Sequence, residues 1–339
     1  MAINQTAQPL SGPAAPPQKA RTSFGILGAI SLSHLLNDMI QSLILAIYPL
    51  LQAEFSLTFV QIGMITLTFQ LTSSLFQPVI GYITDKRSMP WSLPVGMCFT
   101  LCGLILLALA GSFGMVLLAA LLAIVVLSQI SRWYAAQHRM NKGKPKPAIV
   151  NPLPRKKVIL AVGILLMLIF SKYFYMASIS SYYTFYLMHK FGLTVQNAQL
   201  HLFAFLFAVA AGTVIGGPVG DKIGRKYVIW GSILGVAPFT LVLPYASLEW
   251  TGILTVIIGF ILASAFSAIL VYAQELLPGR IGMVSGLFFG FAFGMGGLGA
   301  AVLGLLADHT SIDLVYKICA FLPLLGFLTI FLPDNRQKA

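Results

Sequence analysis

The stretch AQLHLFAFLFAVAAGTVIGGPVGDKIGRKYVIW, residues 198–230, holds one apolar run, a short polar loop and the start of a second apolar run. No side chain between residues 202 and 219 carries a charge, and the charges gather just beyond, from Asp221 to Lys226. A helix needs about 20 predominantly apolar residues to cross the hydrocarbon core of a bilayer. The stretch therefore predicts two membrane-spanning helices joined by a short polar loop.

Composition extends this prediction to the whole chain. Its 339 residues are 58% hydrophobic and 9% charged, with a mean hydropathy of +0.88, whereas about 25% of the residues of an ordinary soluble domain are charged. A soluble enzyme could not bury that much apolar surface. The cysteines, Cys98, Cys102 and Cys319, lie inside apolar runs without metal-ligand spacing, so we expect no metal and no cofactor.

Ten apolar segments are long enough to span a membrane. We predict spans at 24–51, 57–83, 92–111, 113–131, 157–187, 198–219, 226–247, 250–273, 281–306 and 313–332. The predicted fold is an all-α polytopic membrane protein. We expect a disordered cytoplasmic tail at 1–23, a first helix bundle at 24–131, a basic cytoplasmic linker at 132–156, a six-helix bundle at 157–333 and a second cytoplasmic tail at 334–339.

Basic residues favour one side of the predicted membrane. With both termini inside, 18 of the 21 Lys and Arg residues fall in inner loops and tails, and only Lys190 and Lys317 fall outside. This asymmetry is expected of a multi-pass protein of the bacterial inner membrane. The net charge of +12 therefore indicates topology rather than nucleic-acid binding, because the basic residues are scattered over short loops.

The loop in the opening stretch has a weaker copy earlier in the chain. Gly217–Lys226 reads GPVGDKIGRK, and Gly81–Arg87 reads GYITDKR, which keeps the glycine, Asp85 and Lys86. Each copy lies about 60 to 65 residues into its half, which indicates an internally duplicated bundle. The pattern G-x-x-x-D-K-x-G-R-K resembles the cytoplasmic loop signature of the major facilitator superfamily.

That resemblance implies twelve helices, six in each half, whereas we predict about ten. After its copy of the loop, the second half holds four predicted spans, but the first half holds only two. We expect that helices four to six have been reduced to the single span 113–131. Helices four and six both run from outside to inside, so joining them preserves the orientation of everything downstream.

Other stretches narrow the resemblance. Residues 21–27 (RTSFGIL), 33–38 (SHLLND), 172–175 (KYFY) and 272–280 (YAQELLPGR) are similar to the group of these transporters that gives resistance to the phosphonate antibiotic fosmidomycin. The resemblance implies efflux of an anionic phosphonate in exchange for protons. No nucleotide-binding motif appears in the sequence, so the proton gradient is the expected energy source.

The first predicted span carries a polar stripe. His34, Asn37, Asp38 and Gln41 recur at helical spacing within an apolar segment, which puts them on one face of the helix. An ionised Asp at bilayer depth costs about 2.5 kcal/mol or more, and His34 lies one turn from Asp38. We therefore interpret Asp38 and His34 as a proton-coupling pair and Asn37 and Gln41 as substrate-binding residues. The alternative is a polar cluster that only pins neighbouring helices.

Lys172 lies inside the first span of the second half, about opposite the polar stripe by pseudosymmetry. A cation at that depth could bind an anionic phosphonate or neutralise Asp38. Tyr175 and Tyr182 lie seven residues apart on nearly the same face and could donate hydrogen bonds to substrate. The alternatives are that Lys172 extends to the inner surface and that the tyrosines are packing residues.

Loop residues are the candidates for conformational gating. Gly217, Asp221, Arg225 and Lys226 belong to the loop signature, Asp85 belongs to its first copy, and Glu275 and Arg280 flank another predicted inner loop. A carboxylate there can engage a neighbouring helix N-terminus and stabilise one access state. We expect Gly217, Gly220 and Gly224 to let the backbone turn tightly. A plain topology determinant is the competing account.

The sequence leaves three functions open. A proton-coupled exporter is favoured, a solute importer or symporter on the same scaffold is the second, and an inserted but non-transporting remnant is the third. The remnant is considered because losing two spans removes part of the cavity wall and exposes polar stripes to lipid. The oligomeric state is not specified by the sequence.

Overall fold

The computed structural model describes residues 43–84, 102–103, 105–118, 154–278 and 281–333, and their side chains except at 72–84, Asp221 and Ile281. The named helices are α1 (Tyr48–Phe55), α2 (Phe59–Thr84), α3 (Arg155–Phe191), α4 (Val195–Ile223), α5 (Arg225–Ile233), α6 (Ala237–Val242), α7 (Leu248–Leu276), α8 (Ile281–His309) and α9 (Ile312–Cys319). Two 3₁₀ segments, Leu243–Tyr245 and Leu322–Phe331, continue α6 and follow α9. No strand occurs in the described part of the chain, so the all-α prediction is confirmed.

Six described segments are long and apolar enough to cross a membrane. They run over Arg155–Phe191, Val195–Gly220, Arg225–Tyr245, Leu248–Leu276, Gly282–His309 and Ile312–Phe331. These bounds agree within a few residues with the last six predicted spans. Of the first four predicted spans, the second is represented by the apolar segment Phe59–Leu71 of α2. The described residues do not fix the total number of spans.

A turn separates the third and fourth predicted spans. Residues 105–108 and 113–118 are helical, with a break between them. Ser112 begins the second helix, because its hydroxyl accepts a hydrogen bond from the Met115 amide at 3.4 Å. The predicted fusion near residue 120 and the predicted linker at 132–156 fall mostly outside the described residues.

Cap residues mark two of the short turns at which the chain reverses. Gly192 ends α3 with a φ of 66°, a left-handed conformation that glycine adopts without steric cost. Thr194 then begins α4 by accepting a hydrogen bond from the Asn197 amide. Ser311 begins α9 in the same way, through the Leu314 amide. Short capped turns of this kind make α3 and α4, and α8 and α9, antiparallel neighbours.

The helices have two common ends, which we name by one residue each. At the Asp308 end, α2, α4, α7 and α9 begin, and α3 and α8 end. At the Arg225 end, α3, α5 and α8 begin, and α4 and α7 end. Cross-helix contacts fix these groupings. The His189 imidazole lies 3.4 Å from the Asp313 carboxylate at the first end, and Arg225 pairs with Glu275 at the second.

The core is built from two apolar clusters, one toward each end. The first includes Tyr48, Ile62 and Tyr182 and joins the first two helices to α3, α4, α7, α8 and α9. The second includes Leu165, Ile269 and Phe288 and joins α3, α5, α7 and α8. The helix faces turned away from these clusters are apolar as well: Leu200, Phe203, Phe207 and Val214 on α4 are between 65% and 74% exposed, as expected of a lipid-facing surface.

Helices α2 and α8 run antiparallel and pack closely along their length. Glycines make this approach possible. A Cβ atom added at Gly304 would lie 2.5 Å from the Tyr182 hydroxyl, and one added at Gly63 would lie 2.5 Å from the Ala300 carbonyl oxygen. Gly297 contacts Leu67 and Gln70 in the same way. Small residues of this kind let the backbones of two membrane helices approach closely.

Candidate transport site and gating contacts

Lys172 is a buried cation near the middle of α3. Its side chain is 4% exposed, and its ammonium lies 3.4 Å from the Ala263 carbonyl oxygen of α7. No carboxylate among the described residues forms an ion pair with it. A charge held in a poorly hydrated site without a counter-ion strongly favours an anion beside it.

Two aromatic rings flank this cation. The Lys172 ammonium lies 5.5 Å from the centre of the Tyr173 ring and 5.3 Å from that of Phe266. Tyr173 also packs edge-on against Phe266 and Phe293, with ring centres 5.8 and 6.4 Å apart. The two rings beside the ammonium come from α3 and α7, and Phe293 of α8 packs against one of them. Cation–π attraction to these two rings offsets part of the cost of removing the ammonium from water.

The two tyrosines expected beside Lys172 have other neighbours. The Tyr175 hydroxyl is buried without a hydrogen-bond partner among the described residues. The Tyr182 hydroxyl donates to the Ala300 carbonyl at 2.5 Å and also lies 3.2 Å from the Phe59 carbonyl. Neither hydroxyl bonds to Lys172. Substrate binding by these tyrosines stays a prediction, but Tyr182 has a clear contact role between α2, α3 and α8.

The polar stripe of the first span lies outside the described residues, which begin at residue 43. His34, Asn37, Asp38 and Gln41 therefore have no described position, and their roles stay predictions. The described residues do hold a buried polar chain nearby in sequence, which the sequence analysis missed. The Tyr48 hydroxyl lies 2.7 Å from that of Thr66, which lies 3.3 Å from the Ser181 hydroxyl.

Asp308 makes the most specific contact of the Asp308 end. Its two carboxylate oxygens accept hydrogen bonds from the amides of Phe59, at 2.9 Å, and Val60, at 2.7 Å. The same helix start has a local capping box, in which the Thr58 amide donates to Gln61 and the Gln61 amide donates to Thr58. The Thr-x-x-Gln pattern was visible in the sequence, but the partner from α8 was not.

A second contact crosses the same end. The Gln199 side-chain amide of α4 donates to the Ala46 carbonyl oxygen at 2.6 Å. Ala46 precedes α1, where the helix is interrupted at Ile47. The Asp308 end is therefore tied by polar contacts from both α4 and α8 to the first two helices.

At the Arg225 end, the loop signature covers the last residues of α4, Gly224 and the first residues of α5. Arg225 pairs with Glu275 at the end of α7, and the Lys226 ammonium donates to the Leu332 carbonyl oxygen at 2.6 Å. The Asp221 backbone is helical, whereas Asp85 and Arg280 lie outside the described residues. The described gating candidates thus brace α5 against α7 and against the end of the last span.

The expected tight turn at Gly217 and Gly220 is wrong. Both residues lie within α4, which continues through Pro218 to Ile223. Only Gly224 turns the chain, with a φ of 106°. A helix satisfies the hydrogen bonds of its own backbone, so at membrane depth a continuous helix is favoured over an early turn. The close packing of Gly212 and Gly216 against α7 further stabilises the continuous α4.

Comparison with known proteins places these features in a family. The sequence profile of the Major Facilitator Superfamily matches residues 30–140 and 155–339. The chain belongs to this superfamily. Members are transporters, so this chain is a multi-pass transporter and not an enzyme. Among solved structures, the nucleoside transporter NupG has a similar fold, with a TM-score of 0.57 and 13% identity over 86% of this chain and 94% of that one.

Two relatives in the superfamily align over nearly the whole chain. The Fosmidomycin resistance protein of Escherichia coli is 73% identical over 405 aligned positions, covering 100% of both chains. The uncharacterized MFS-type transporter YfnC of Bacillus subtilis is 35% identical over 93% of this chain and 94% of its own length. The 405-position alignment is longer than the 339 residues of this chain, which agrees with the predicted internal deletion.

Proposed function

We propose that this chain is a proton-coupled exporter of anionic phosphonate antibiotics of the fosmidomycin type. The observation that carries the proposal is Lys172, a buried cation with no described counter-ion, whose ammonium is flanked by the rings of Tyr173 and Phe266. Such a group attracts a compact anion and repels cations. The 73% identity to a protein named for fosmidomycin resistance supports the same substrate class.

The proposed cycle exchanges a proton for the anion. Asp38, assisted by His34, takes a proton from outside, and Asn37 and Gln41 share the substrate with Lys172 across the cavity. Two charges of opposite sign in an apolar site stabilise each other. In the proposed cycle the site is occupied alternately: the anion binds at Lys172 from inside after Asp38 has released its proton there, and the next proton reaches Asp38 from outside once the anion has left.

Membrane orientation follows from the distribution of basic residues. We propose that the Asp308 end faces outward and the Arg225 end faces the cytoplasm, with both termini inside an inner membrane. The loop signature at Gly217–Lys226, together with Asp85, Glu275 and Arg280, then acts as the cytoplasmic gate. Tyr175 and Tyr182 are proposed as further hydroxyl donors to substrate in states in which they are released from their present contacts.

Resistance measurements test the role of Lys172. In bacteria that lack their own exporter, we expect this chain to raise the tolerated fosmidomycin concentration and Lys172→Gln to abolish that gain. Lys157→Gln is the matched control, because Lys157 is an exposed lysine on the same helix. If the Lys172→Gln protein reached normal levels in the membrane and still gave full resistance, Lys172 would not be part of the substrate site.

Direction is tested by accumulation of labelled fosmidomycin. Export driven by protons predicts that an uncoupler raises the drug level in cells that make this chain, whereas an importer or symporter predicts a fall. Asp38→Asn should give the high level without an uncoupler. An unchanged drug level with Asp38→Asn would exclude Asp38 from coupling.

The non-transporting remnant is the second candidate, favoured by the shortened first half. The test compares this chain with a version into which the block present in the Escherichia coli relative has been inserted. Equal resistance from the two chains supports transport by the shortened form. Resistance from the longer version alone would identify this chain as a remnant.

A further inference from the structure

Asp308, near the end of α8, joins that helix to the start of α2, where its hydrogen-bond partner Phe59 is 249 residues away in sequence. We propose that Asp308 is a latch that holds the Asp308 end of the transporter shut and that releases in each cycle to open this end. The inference rests on the proposed function, since a transporter that exposes its site alternately to two sides must part its helices here.

The first step concerns the donors. The amides at a helix start have no partner inside the helix. The local capping box satisfies the Gln61 amide, which leaves the Phe59 and Val60 amides for the two oxygens of Asp308. The positive end of the helix dipole adds an attraction for the negative carboxylate. The latch therefore exists only while α8 lies against the start of α2.

The second step concerns reversibility. Asp308 is exposed, as are both of its hydrogen bonds. Water can therefore replace each partner when the helices separate, so that opening does not leave a charge without hydration. A buried ion pair would be a far more expensive contact to break. An exposed, bidentate and charge-assisted contact suits a closure that must open repeatedly.

The third step concerns what lies beneath the latch. The Tyr182 hydroxyl lies between the Phe59 and Ala300 carbonyl oxygens, directly under the first residue of α2. Deeper still, Thr66 covers Ser181, whose side chain is only 1% exposed. Ser181 is thus buried beside the Thr66 hydroxyl, and separation of α2 from α3 would expose it to an aqueous reagent, which makes it a reporter of opening.

The test labels a cysteine placed at this reporter position. A Ser181→Cys protein is treated in intact cells with a membrane-impermeant maleimide, and modification at position 181 is read by mass spectrometry so that the native cysteines can stay. We expect slow labelling, and an increase of about tenfold in rate when Asp308→Ala is added, because a charge-assisted contact is lost. Asp308→Glu should keep most of the protection.

Asp313→Ala is the matched control. Asp313 is another acid of the same end, but its partner is His189 on α3, which also belongs to the second half, so its loss should leave the labelling rate unchanged. Tyr182→Phe, which keeps all charges, should raise the rate by a smaller factor. An unchanged rate in Asp308→Ala, or an equal rise in Asp313→Ala, would overturn the latch.

The readout needs neither drug nor transport, so the latch and the proposed function can fail separately. If the chain gives no resistance but its labelling depends on Asp308, the latch role of Asp308 is supported and the proposed exporter function is rejected. Labelling that rises only in inside-out vesicles keeps the latch and reverses the proposed orientation.

Discussion

The two ends of the molecule are held together in different ways. At the Asp308 end, described polar contacts link the first two helices to the later ones, through Asp308, Tyr182 and Gln199. At the Arg225 end, the described polar contacts run within the last six spans, as between Arg225 and Glu275 or Lys226 and Leu332. One end is thus a junction between two groups of helices, and the described part of the other is a brace inside one group.

This difference bears on transport. In the proposed cycle, the junction must break for its end to open, whereas the brace can persist and keep one group of helices rigid. The junction is accordingly built from glycine packing and exposed hydrogen bonds, while the brace includes a glycine-dependent turn and an ion pair. Substitutions at the two ends should therefore have different consequences, which the following predictions address.

The largest effect is expected at the glycine junction. Gly304→Leu should prevent α2 from reaching α8, because even a Cβ atom there would lie 2.5 Å from the Tyr182 hydroxyl. We expect destabilisation of about 3 kcal/mol or more, measured by thermal unfolding of the purified protein, and fast labelling of Ser181→Cys.

Gly163→Ala supplies the contrast for this prediction. Gly163 lies in α3 with no atom within 4 Å of an added Cβ, so alanine should leave stability unchanged or raise it slightly. A normal unfolding temperature and slow labelling in Gly304→Leu would show that the junction is not closed as described.

The second effect is expected at the turn of the Arg225 end. Gly224→Ala should cost about 1–2 kcal/mol, because a φ of 106° is unfavourable for a residue with a Cβ atom. Gly231→Ala in α5, where an added Cβ meets no atom within 4 Å, is the matched control. The Gly224→Ala protein should therefore unfold at a lower temperature than the Gly231→Ala protein. Equal unfolding temperatures would contradict the need for glycine at this turn.

Sequence reasoning succeeded where hydropathy decides the structure. The span predicted at 157–187 is observed at Arg155–Phe191, and that at 250–273 at Leu248–Leu276, because an apolar segment must match the bilayer thickness. The superfamily followed from the loop signature at Gly217–Lys226. The helix ends were less accurate, since capping by Gly192 and Thr194 extends or trims a helix by a few residues.

Contacts between helices that are distant in the chain could not be predicted from the sequence. The contact of Asp308 could not be predicted, because nothing in the local sequence indicates that its partners are the Phe59 and Val60 amides. Tyr182 was assigned to substrate from its helical face, yet that face also meets the Phe59 carbonyl oxygen. A period of 3.6 residues identifies a face of a helix but not the neighbour that covers it.

The smallest effect is expected for the ion pair of the brace. Glu275→Gln removes the pairing with Arg225, but both side chains are partly exposed, at 39% and 29%, and pairs of this kind contribute about 0–1 kcal/mol. The thermal unfolding temperature should fall slightly, and it should become less sensitive to salt concentration. Exchanging the charges, with Arg225→Glu and Glu275→Arg together, should restore part of the loss.

The same variant tests whether the two ends are independent. Because Arg225 and Glu275 both belong to the last six spans, Glu275→Gln should leave the labelling rate of Ser181→Cys as slow as in the parent protein. If Glu275→Gln raised that rate as much as Asp308→Ala does, the ion pair would have to bias the junction at the opposite end. The Arg225 end would then be a gate coupled to the latch, and the distinction between a junction and a brace would fail.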